Sequence, residues 1–591
     1  MFPNRFMSSI LSVFGLSLRL NQCPTIQKQT YPKCDDYLQR DFDFIIVGSG
    51  PGGCALANRL SENPDWNVLM VEAGGYPSKA SEIPAAAQFL LGTSENWKFL
   101  SEPLNYPTAH LDNRIHLPQG KALGGSSTIN GLLDVPGQAY DYNLWADLVK
   151  NDIWNWTNVE PYIKKSSEYL KTTNPVVLTN GRMKIESAAR ELGLDINGPS
   201  PFGFHDEPMN VVNNVRLSMA KAYLQPLIKR KNFCLVVDTF VNRVVIDPKT
   251  NRAVGIEFNN GYNRPKIINA TKEVIVSAGP INSPKLLMLS GLGPKDHLKK
   301  IGIPLIQNLP VGKNLQDHYH VPIFLQIQDI SQIPINKILT VYCSTGQLLN
   351  NDGIVSFIGF FNTHHFKNRS CKDKNDTTLW VTTPRDIELI TTQGFQNEGL
   401  VIDTYLNGAH FHPKYNKRLR EINSKVGWLM TLVTLLHPKS KGTVELKNKN
   451  PKEPPLIQLN YFDHPDDMKT MMKGIGIYLR LKNTKSLRNY RLSNLKVEPC
   501  DKFRFMSREY FKCYSKMFVT TTFHYAGTCR MGSDPLKSVV DPTLRVHGVP
   551  NLRVCDSSII PELMGGHPSV PTAIVGEKLA DIIKDTYLSV E

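Results

Sequence analysis

The segment from residue 43 to residue 72 constrains the fold more than any other part of the chain. A short apolar run from Asp43 to Val47 is followed at once by a glycine-rich turn, and then by small and apolar residues typical of a packed helix. A second apolar run ends in Glu72, nineteen residues after Gly53. Because strands buried on both faces are continuous apolar runs, this order predicts a strand, a tight turn, a helix and a parallel strand.

Each part of the turn meets a requirement of dinucleotide binding. Gly48 allows the tight turn, Gly50 lets the backbone approach a pyrophosphate, and Gly53 lets the helix pack closely on the strand. The helix N-terminus presents unpaired N–H groups and a partial positive charge to that pyrophosphate. Glu72, at the end of the second strand, can accept hydrogen bonds from a ribose diol. The complete unit therefore predicts a dinucleotide site.

The residues that follow favour FAD over NAD as this dinucleotide. Ala73, Gly74 and Gly75 continue the strand into a glycine loop of the kind found in flavoprotein motifs. A flavoenzyme that is reduced by NAD(P)H usually needs a second nucleotide fold, and no later segment repeats the motif. We therefore expect FAD as the cofactor and the organic substrate as its reductant.

The composition indicates a folded, enzyme-sized chain. Its 591 residues are 41% hydrophobic, which is enough for a large core and two to four domains of ordinary size. No run of 18 apolar residues occurs, so a transmembrane bundle is excluded. The ten cysteines contain no CxxC pair, so no zinc site or other metal site is predicted. The formal charge of +15 comes from scattered basic residues, which excludes a nucleic-acid-binding stripe.

The N-terminus and the glycosylation sequons predict secretion. Residues 6–18 form a mostly apolar run between two arginines, too short to span a bilayer but suited to a signal peptide within residues 1–25. Asn-x-Ser/Thr sequons begin at Asn155, Asn269, Asn368 and Asn375. Cys500 and Cys513 flank a short stretch and can form a disulfide in an oxidising compartment. The alternative is an intracellular enzyme with an N-terminal extension.

Later segments of the chain resemble the glucose–methanol–choline (GMC) oxidoreductase family. The resemblance runs from about residue 40 to the C-terminus, and the matching signatures occupy residues 120–130, 279–293, 309–318, 524–532, 554–556 and 566–568. It implies an α/β fold, in which an FAD-binding Rossmann-like domain is interleaved with an α+β substrate domain built on an antiparallel sheet.

The resemblance also implies how the two domains share the chain. The FAD-binding domain is expected to be discontinuous and to comprise residues 40–155, 216–320 and 535–591. The substrate-binding domain is expected to comprise residues 156–215 and 321–534. Within the latter, apolar runs predict strands at residues 354–361 and 426–435.

Several segments are implied to contact FAD. The loop that begins at Gly124 offers backbone N–H groups and hydroxyls, and an amide side chain follows it. Residues 240–246 alternate like a strand, which in the family packs near the adenine. Asp556 resembles the residue that seats the ribityl-diphosphate arm, and the segment after His567 places a helix N-terminus near the flavin. The implied contacts in these segments are Gly124, Ser126, Ser127, Asn130, Val241, Asp556 and Pro568.

Two histidines carry the implied catalysis. His524 follows a threonine-rich strand and matches the catalytic histidine of the family, whereas His567 matches a second position that is occupied by His or Asn. His567 also precedes a helix that Pro571 can start. An imidazole with a pKa of about 6.5 suits removal of an alcohol proton near neutral pH. The resemblance implies that His524 is the principal base, that His567 orients the alcohol, and that hydride moves to flavin N5.

The substrate and the electron acceptor are less constrained. At Asp134 and Pro136 the chain departs from the aromatic and Arg-Gly residues common in relatives, which weakens any transfer of substrate identity. The apolar stretch 322–436 suggests a bulky, partly hydrophobic alcohol. We expect an ecdysone oxidase-like enzyme, reoxidised by oxygen or a quinone-type acceptor. The alternatives are a glucose dehydrogenase-like enzyme, an oxidase of aryl or other primary alcohols, a hydroxynitrile lyase, and a catalytically silent binding protein.

Overall fold

Two seven-stranded sheets organise the chain. The computed structural model describes residues 29–173, 180–259, 265–327, 343–344, 357–368, 378–394, 396 and 408–588. The predicted signal peptide, residues 1–25, lies outside the described residues. Two large apolar clusters form the core, one around each sheet.

The first sheet contains the predicted strand–turn–helix–strand unit. Its spatial order is Phe233–Val236, Val68–Val71, Phe42–Val47, Lys266–Val276, Ala253–Asn259 and Phe240–Ile246, with Leu552–Val554 paired to Lys266–Val276. The strands next to Phe42–Val47 are parallel to it, and the last three strands of the order form an antiparallel meander. Glycine turns that leave the carboxyl ends of the parallel strands therefore lie at one edge of this sheet.

The second sheet is antiparallel throughout. Its spatial order is Arg491–Leu492, Tyr319–Ile327, Gly427–Leu435, Ile387–Gly394, Phe357–Phe361 and Gly203–Asp206, with Thr520–Thr521 paired to Tyr319–Ile327. Four shorter two-stranded pairs join Phe99–Leu100 to His116–Leu117, Val211–Val212 to Val215–Arg216, Leu292–Gly293 to Gln307–Asn308, and Thr443–Glu445 to Leu456–Gln458.

Most predicted strands are confirmed, with small shifts at their ends. The strand expected at 426–435 begins one residue later, at Gly427. Of the strand expected at 354–361, the described part is Phe357–Phe361. The division into two domains stays a prediction: the strands of the first sheet all fall in the segments assigned to FAD, whereas Tyr319–Ile327 crosses an expected boundary.

The helices cover both sheets. The α-helices are Pro51–Leu60, Ala87–Leu90, Ala139–Val149, Trp156–Tyr169, Asn180–Glu191, Gly279–Leu289, Lys295–Ile301, His365–Asn368, Leu379–Thr382, Pro413–Asn423, Pro465–Lys482, Arg508–Phe518 and Ser569–Leu588. The first and last of these pack against each other, and a Cβ on Gly576 would lie 2.3 Å from the carbonyl oxygen of Gly52. The predicted C-terminal helix therefore lies directly beside the glycine turn. No helix among the described residues is long and apolar enough to cross a bilayer.

In two disulfides, both cysteines lie in the described part of the chain. Cys500 pairs with Cys513, as the sequence predicts. Cys34 pairs with Cys234 across 200 residues and attaches the segment before the first strand to Phe233–Val236. Sequence spacing contains no signal for this second bridge, because its two cysteines meet only in the folded sheet.

Candidate active site

The glycine turn is shaped by close backbone contacts on one side and open space on the other. Gly48 has a φ of +104°, and a Cβ on it would lie 2.3 Å from the carbonyl oxygen of Ser277. A Cβ on Gly53 would lie 2.2 Å from the carbonyl oxygen of Gly48. At Gly50 the nearest atom to a Cβ is the Ser277 oxygen, 3.9 Å away. The backbone at Gly50 is therefore accessible to a ligand, as close approach to a pyrophosphate requires.

Glu72 is buried at the end of Val68–Val71 and holds the turn in place. Its Oε2 accepts hydrogen bonds from the backbone N–H and the hydroxyl of Ser49, at 2.9 and 2.6 Å, and its Oε1 accepts the N–H of Gly74 at 2.8 Å. Burial raises the pKa of Glu72, and these hydrogen bonds oppose that rise. Glu72 also lines the cavity, so its carboxylate stands where a ribose hydroxyl would approach.

One cavity, about 440 Å³ in volume, runs from the glycine turn to the two predicted catalytic histidines. It is lined by most of the predicted site residues: Gly48, Gly50, Glu72, Ser126, Asn130, Val241, His524, Asp556, His567 and Pro568. Gly48 and Pro568, which are 520 residues apart in the chain, therefore meet at one cavity. A single cavity therefore joins the dinucleotide turn to the candidate catalytic groups.

Three predicted residues do not line this cavity. Gly53 packs beneath the turn. The N–H of Gly124 donates to Ser49 Oγ at 3.2 Å. The hydroxyl of Ser127 donates to the Gly124 carbonyl oxygen at 2.6 Å and accepts a hydrogen bond from the N–H of Met219. Their polar groups shape the loop from within. Any contribution of Gly53, Gly124 and Ser127 to ligand binding is therefore indirect in this structure.

Asp556 and Asn130 line the cavity, where the carboxylate of Asp556 and the amide oxygen of Asn130 accept hydrogen bonds from the protein. Asp556 accepts hydrogen bonds from the N–H of Gly279 at 2.9 Å, from the hydroxyl of Ser283 at 2.5 Å and from the N–H of Ser558 at 2.8 Å. Asn130 Oδ1 accepts from the buried guanidinium of Arg216 at 2.8 Å. Both side chains are held rigidly, which suits residues that position a large cofactor.

His524 and His567 lie next to each other, with ring centroids 4.6 Å apart. The backbone N–H of His524 donates to Asp317 Oδ1 at 2.9 Å, and its Nδ1 is 3.0 Å from Nδ1 of His318. One part of the His524 ring still opens on the cavity. Burial, and then the neighbouring rings of His567, His318 and His320, hold the pKa of His524 well below its ordinary value. A neutral imidazole that can accept a proton is therefore present at neutral pH.

His567 has a carboxylate partner. Its Nε2 lies 2.8 Å from Oε1 of Glu388, and its backbone N–H donates to the carbonyl oxygen of Val135 at 2.8 Å. Glu388 is fully buried in the strand Ile387–Gly394. An ionised carboxylate can only accept, so the Nε2 of His567 carries a hydrogen whenever Glu388 is charged.

Sequence reasoning did not identify Glu388, Asp317 or His318 as site residues. A signal for Glu388 exists: it is a single carboxylate inside an otherwise apolar run, and such groups are rarely buried without a partner. His318 closes the family-like segment 309–318, but nothing in that segment indicates contact with a residue 206 positions later. Burial raises the pKa of Asp317 to about 7.

The rest of the cavity wall on the second-sheet side is mostly apolar. It includes the aliphatic and thioether side chains of Leu132, Leu133, Met209, Ile390, Met430 and Leu432. The polar residues there include His320 and four threonines, Thr392, Thr520, Thr521 and Thr522. The Nδ1 of His320 is 3.1 Å from the hydroxyl of Thr522, so both groups are already partnered. This wall suits an apolar ligand surface.

Asp134→Asn should raise the free energy of unfolding at neutral pH by on the order of 2 kcal/mol. Burial raises the pKa of Asp134 to about 6, so the folded chain binds the proton more tightly than the unfolded chain, and stability falls as the pH rises from about 4 to about 6. Asparagine carries no charge and still accepts the hydrogen bond of Asn210, which is 3.0 Å long.

Urea denaturation of both proteins at about pH 4.5 and about pH 7.5 measures this effect. The gain in the free energy of unfolding of Asp134→Asn over the native protein should be large at the higher pH and small at the lower pH. The exposed Asp65→Asn is the control and should change neither value. An equal gain at both pH values would contradict the burial of a charge at Asp134.

Comparisons with known proteins agree with this geometry. The family model described as GMC oxidoreductase matches residues 42–320 and 438–576 in two parts. The chain is 33% identical to glucose dehydrogenase [FAD, quinone] of Drosophila melanogaster, covering 93% of this chain and 87% of the relative. It is 32% identical to ecdysone oxidase of Bombyx mori, covering 95% and 84% respectively.

A solved structure of an Aspergillus oryzae formate oxidase has the same fold. The superposition has a TM-score of 0.77 at 24% sequence identity and covers 93% of this chain and 99% of that one. The fold predicted from the signatures is thereby confirmed. The chain therefore belongs to the GMC oxidoreductase family, and it is an FAD-dependent oxidoreductase acting on CH–OH donors.

Proposed function

We propose that the chain oxidises a bulky, largely apolar alcohol, in the manner of an ecdysone oxidase. The observation that carries this proposal is the cavity wall, where two histidines stand beside six apolar side chains. A free sugar would need a hydrogen-bond partner for each of its hydroxyl groups, and burying them against such a wall is costly. The relative named ecdysone oxidase supports the same substrate class.

The residues of the cavity fit FAD. Open space at Gly50 accommodates a pyrophosphate, the helix Pro51–Leu60 directs its N-terminus at that space, and Glu72 places a carboxylate at the cavity wall for a ribose hydroxyl. We propose that Gly48, Gly50, Glu72, Ser126, Asn130, Val241, Asp556 and Pro568 hold the cofactor. When bound, FAD supplies the hydride acceptor for the alcohol carbon.

The protein's own part in the reaction is proton transfer and orientation. We assign the role of base to His524, because its low pKa leaves a lone pair free at neutral pH. His567 directs one ring nitrogen to Glu388 and keeps the other for the alcohol oxygen. The charge of Glu388 balances the positive charge that this pair of rings acquires when the proton arrives.

Anaerobic mixing with candidate alcohols tests the proposal. An ecdysteroid should bleach the flavin absorbance at least tenfold faster than glucose or an aromatic alcohol at equal concentration, because only the former fills an apolar wall. Fastest bleaching by glucose would instead favour a glucose dehydrogenase-like enzyme. Cyanide release from mandelonitrile without flavin bleaching would indicate a hydroxynitrile lyase. The absence of both bleaching and cyanide release with every compound would indicate a silent binding protein. Readmission of oxygen or of a quinone then identifies the acceptor.

We also propose that the protein works outside the cell. Disulfides form and persist in oxidising compartments such as the extracellular space. The chain contains the disulfides Cys34–Cys234 and Cys500–Cys513. Among the sequons, Asn269 is exposed and accessible to a glycan. Asn155 is half-buried, and its side chain caps the helix Trp156–Tyr169, which makes it a poorer acceptor. The side chains of Asn368 and Asn375 lie outside the described residues.

A further inference from the structure

The contact between His318 and His524 restricts where hydrogens can lie. Their Nδ1 atoms are 3.0 Å apart, and their rings are nearly perpendicular at 81°. Two lone pairs at this distance would repel, and two N–H groups would collide. A single hydrogen therefore lies between the two nitrogens, and one ring must donate it to the other.

The surroundings of His318 decide which ring donates. His318 is completely buried, and its Nε2 makes no hydrogen bond of ordinary geometry. The backbone groups that interact with this ring are the carbonyl oxygens of Leu436 and Met564. A carbonyl oxygen can only accept a hydrogen bond. An Nε2–H is attracted to such oxygens, whereas an Nε2 lone pair is repelled by them. The hydrogen of neutral His318 therefore belongs on Nε2, and its Nδ1 is an acceptor.

We propose that His318 is a positioning residue that selects the tautomer of His524. By accepting the Nδ1–H of His524, it leaves the Nε2 of His524 without a hydrogen. This inference rests on the proposed role of His524 as the base. In the opposite arrangement His524 would carry its hydrogen on Nε2 and could not accept the proton of an alcohol there.

The same contact also supports the protonated form of His524. When the alcohol O–H bond breaks, its proton binds Nε2 of His524 and the electron pair stays on the alcohol oxygen. The Nδ1–H that points to His318 then belongs to a cation, and hydrogen bonds from charged donors are stronger than those from neutral ones. His318 thus contributes more after proton transfer than before it, as a group that favours catalysis must.

Two variants at position 318 separate hydrogen-bond acceptance from packing. His318→Leu removes the acceptor, and the limiting rate of anaerobic flavin reduction should fall by about 100-fold with little change in the apparent substrate Kd. His318→Asn can place its amide oxygen near the position of the Nδ1 atom, and it should recover most of the rate. Equal rates for His318→Leu and the native enzyme would overturn the proposal, as would loss of rate in His318→Asn with unchanged FAD content.

A neutron structure of the native FAD-loaded enzyme provides a readout that does not depend on turnover. Deuterium should appear on Nδ1 of His524 and on Nε2 of His318. Deuterium on Nδ1 of His318 would overturn the proposal, even if His318→Leu does not fold. If His524→Ala reduces flavin normally, the assignment of His524 as the base fails and the present inference fails with it, whereas the proposed oxidation of an alcohol stands. If only His318→Leu has no effect, the present inference fails and the assignment of the base stands.

Discussion

His524→Ala should lower the rate of flavin reduction by an alcohol by about 1,000-fold while FAD remains bound. A positioned general base contributes about 100- to 10,000-fold, and removal of the imidazole leaves the alcohol proton with no neutral acceptor at the same place. The side chain contributes no hydrogen bond to the glycine turn, and its backbone N–H still donates to Asp317. Stopped-flow absorbance under anaerobic conditions gives the rate, and the flavin spectrum gives the cofactor content.

His547→Ala is the matched control for this experiment. His547 is also half-buried and hydrogen-bonded, to Ser538 Oγ and the Gly532 carbonyl oxygen, but it lies outside the cavity. The His547→Ala protein should therefore show flavin reduction at the native rate. Normal reduction by His524→Ala would show that the base is another group, with His567 the first to examine.

Gly50→Ala should abolish tight FAD binding and leave the folded apoprotein intact. Gly50 has a φ of −68° and a ψ of −177°, which alanine adopts easily, and its new Cβ would have no protein atom closer than 3.9 Å. The methyl group instead occupies the space through which a pyrophosphate approaches the backbone. We expect the Kd for FAD, measured by flavin fluorescence quenching, to rise by at least about 100-fold, or 2.7 kcal/mol.

Gly53→Ala acts on the same turn by a different route. Its Cβ would lie 2.2 Å from the carbonyl oxygen of Gly48, so the helix must move and the apoprotein should lose about 3 kcal/mol of stability. Gly476→Ala, in the helix Pro465–Lys482, meets nothing within 4 Å and is the control for both measurements. Retention of native FAD affinity by Gly50→Ala would contradict the location of the pyrophosphate.

Local patterns explain why so much of the fold could be predicted. The strand Phe42–Val47, the turn after it and the strand Val68–Val71 are specified by continuous apolar runs and by glycines at fixed spacing. His524 and His567 could be singled out because each stands in a short signature next to a strand or a helix. In each of these cases the sequence pattern that allows the prediction lies within about ten residues of the strand, turn or histidine that it predicts.

The partners of the two histidines could not be predicted in the same way. Glu388 meets His567 across 179 residues, and His318 meets His524 across 206. Both contacts depend on the register of the second sheet, in which Tyr319–Ile327 pairs with Thr520–Thr521 and Ile387–Gly394 lies two strands away. Sheet register is decided by long-range packing, which a single sequence does not display.

The Cys34–Cys234 disulfide also affects how the protein avoids association with other chains. Among the described strands, Phe233–Val236 pairs only with Val68–Val71 and so forms an edge of the first sheet. An unpaired edge is a template for aggregation. The segment before the first strand is held against this edge by the disulfide and by Arg40, whose guanidinium donates to the carbonyl oxygen of Lys231. Reduction of the bridge would therefore release the segment that lies beside this strand edge and favour association with other chains.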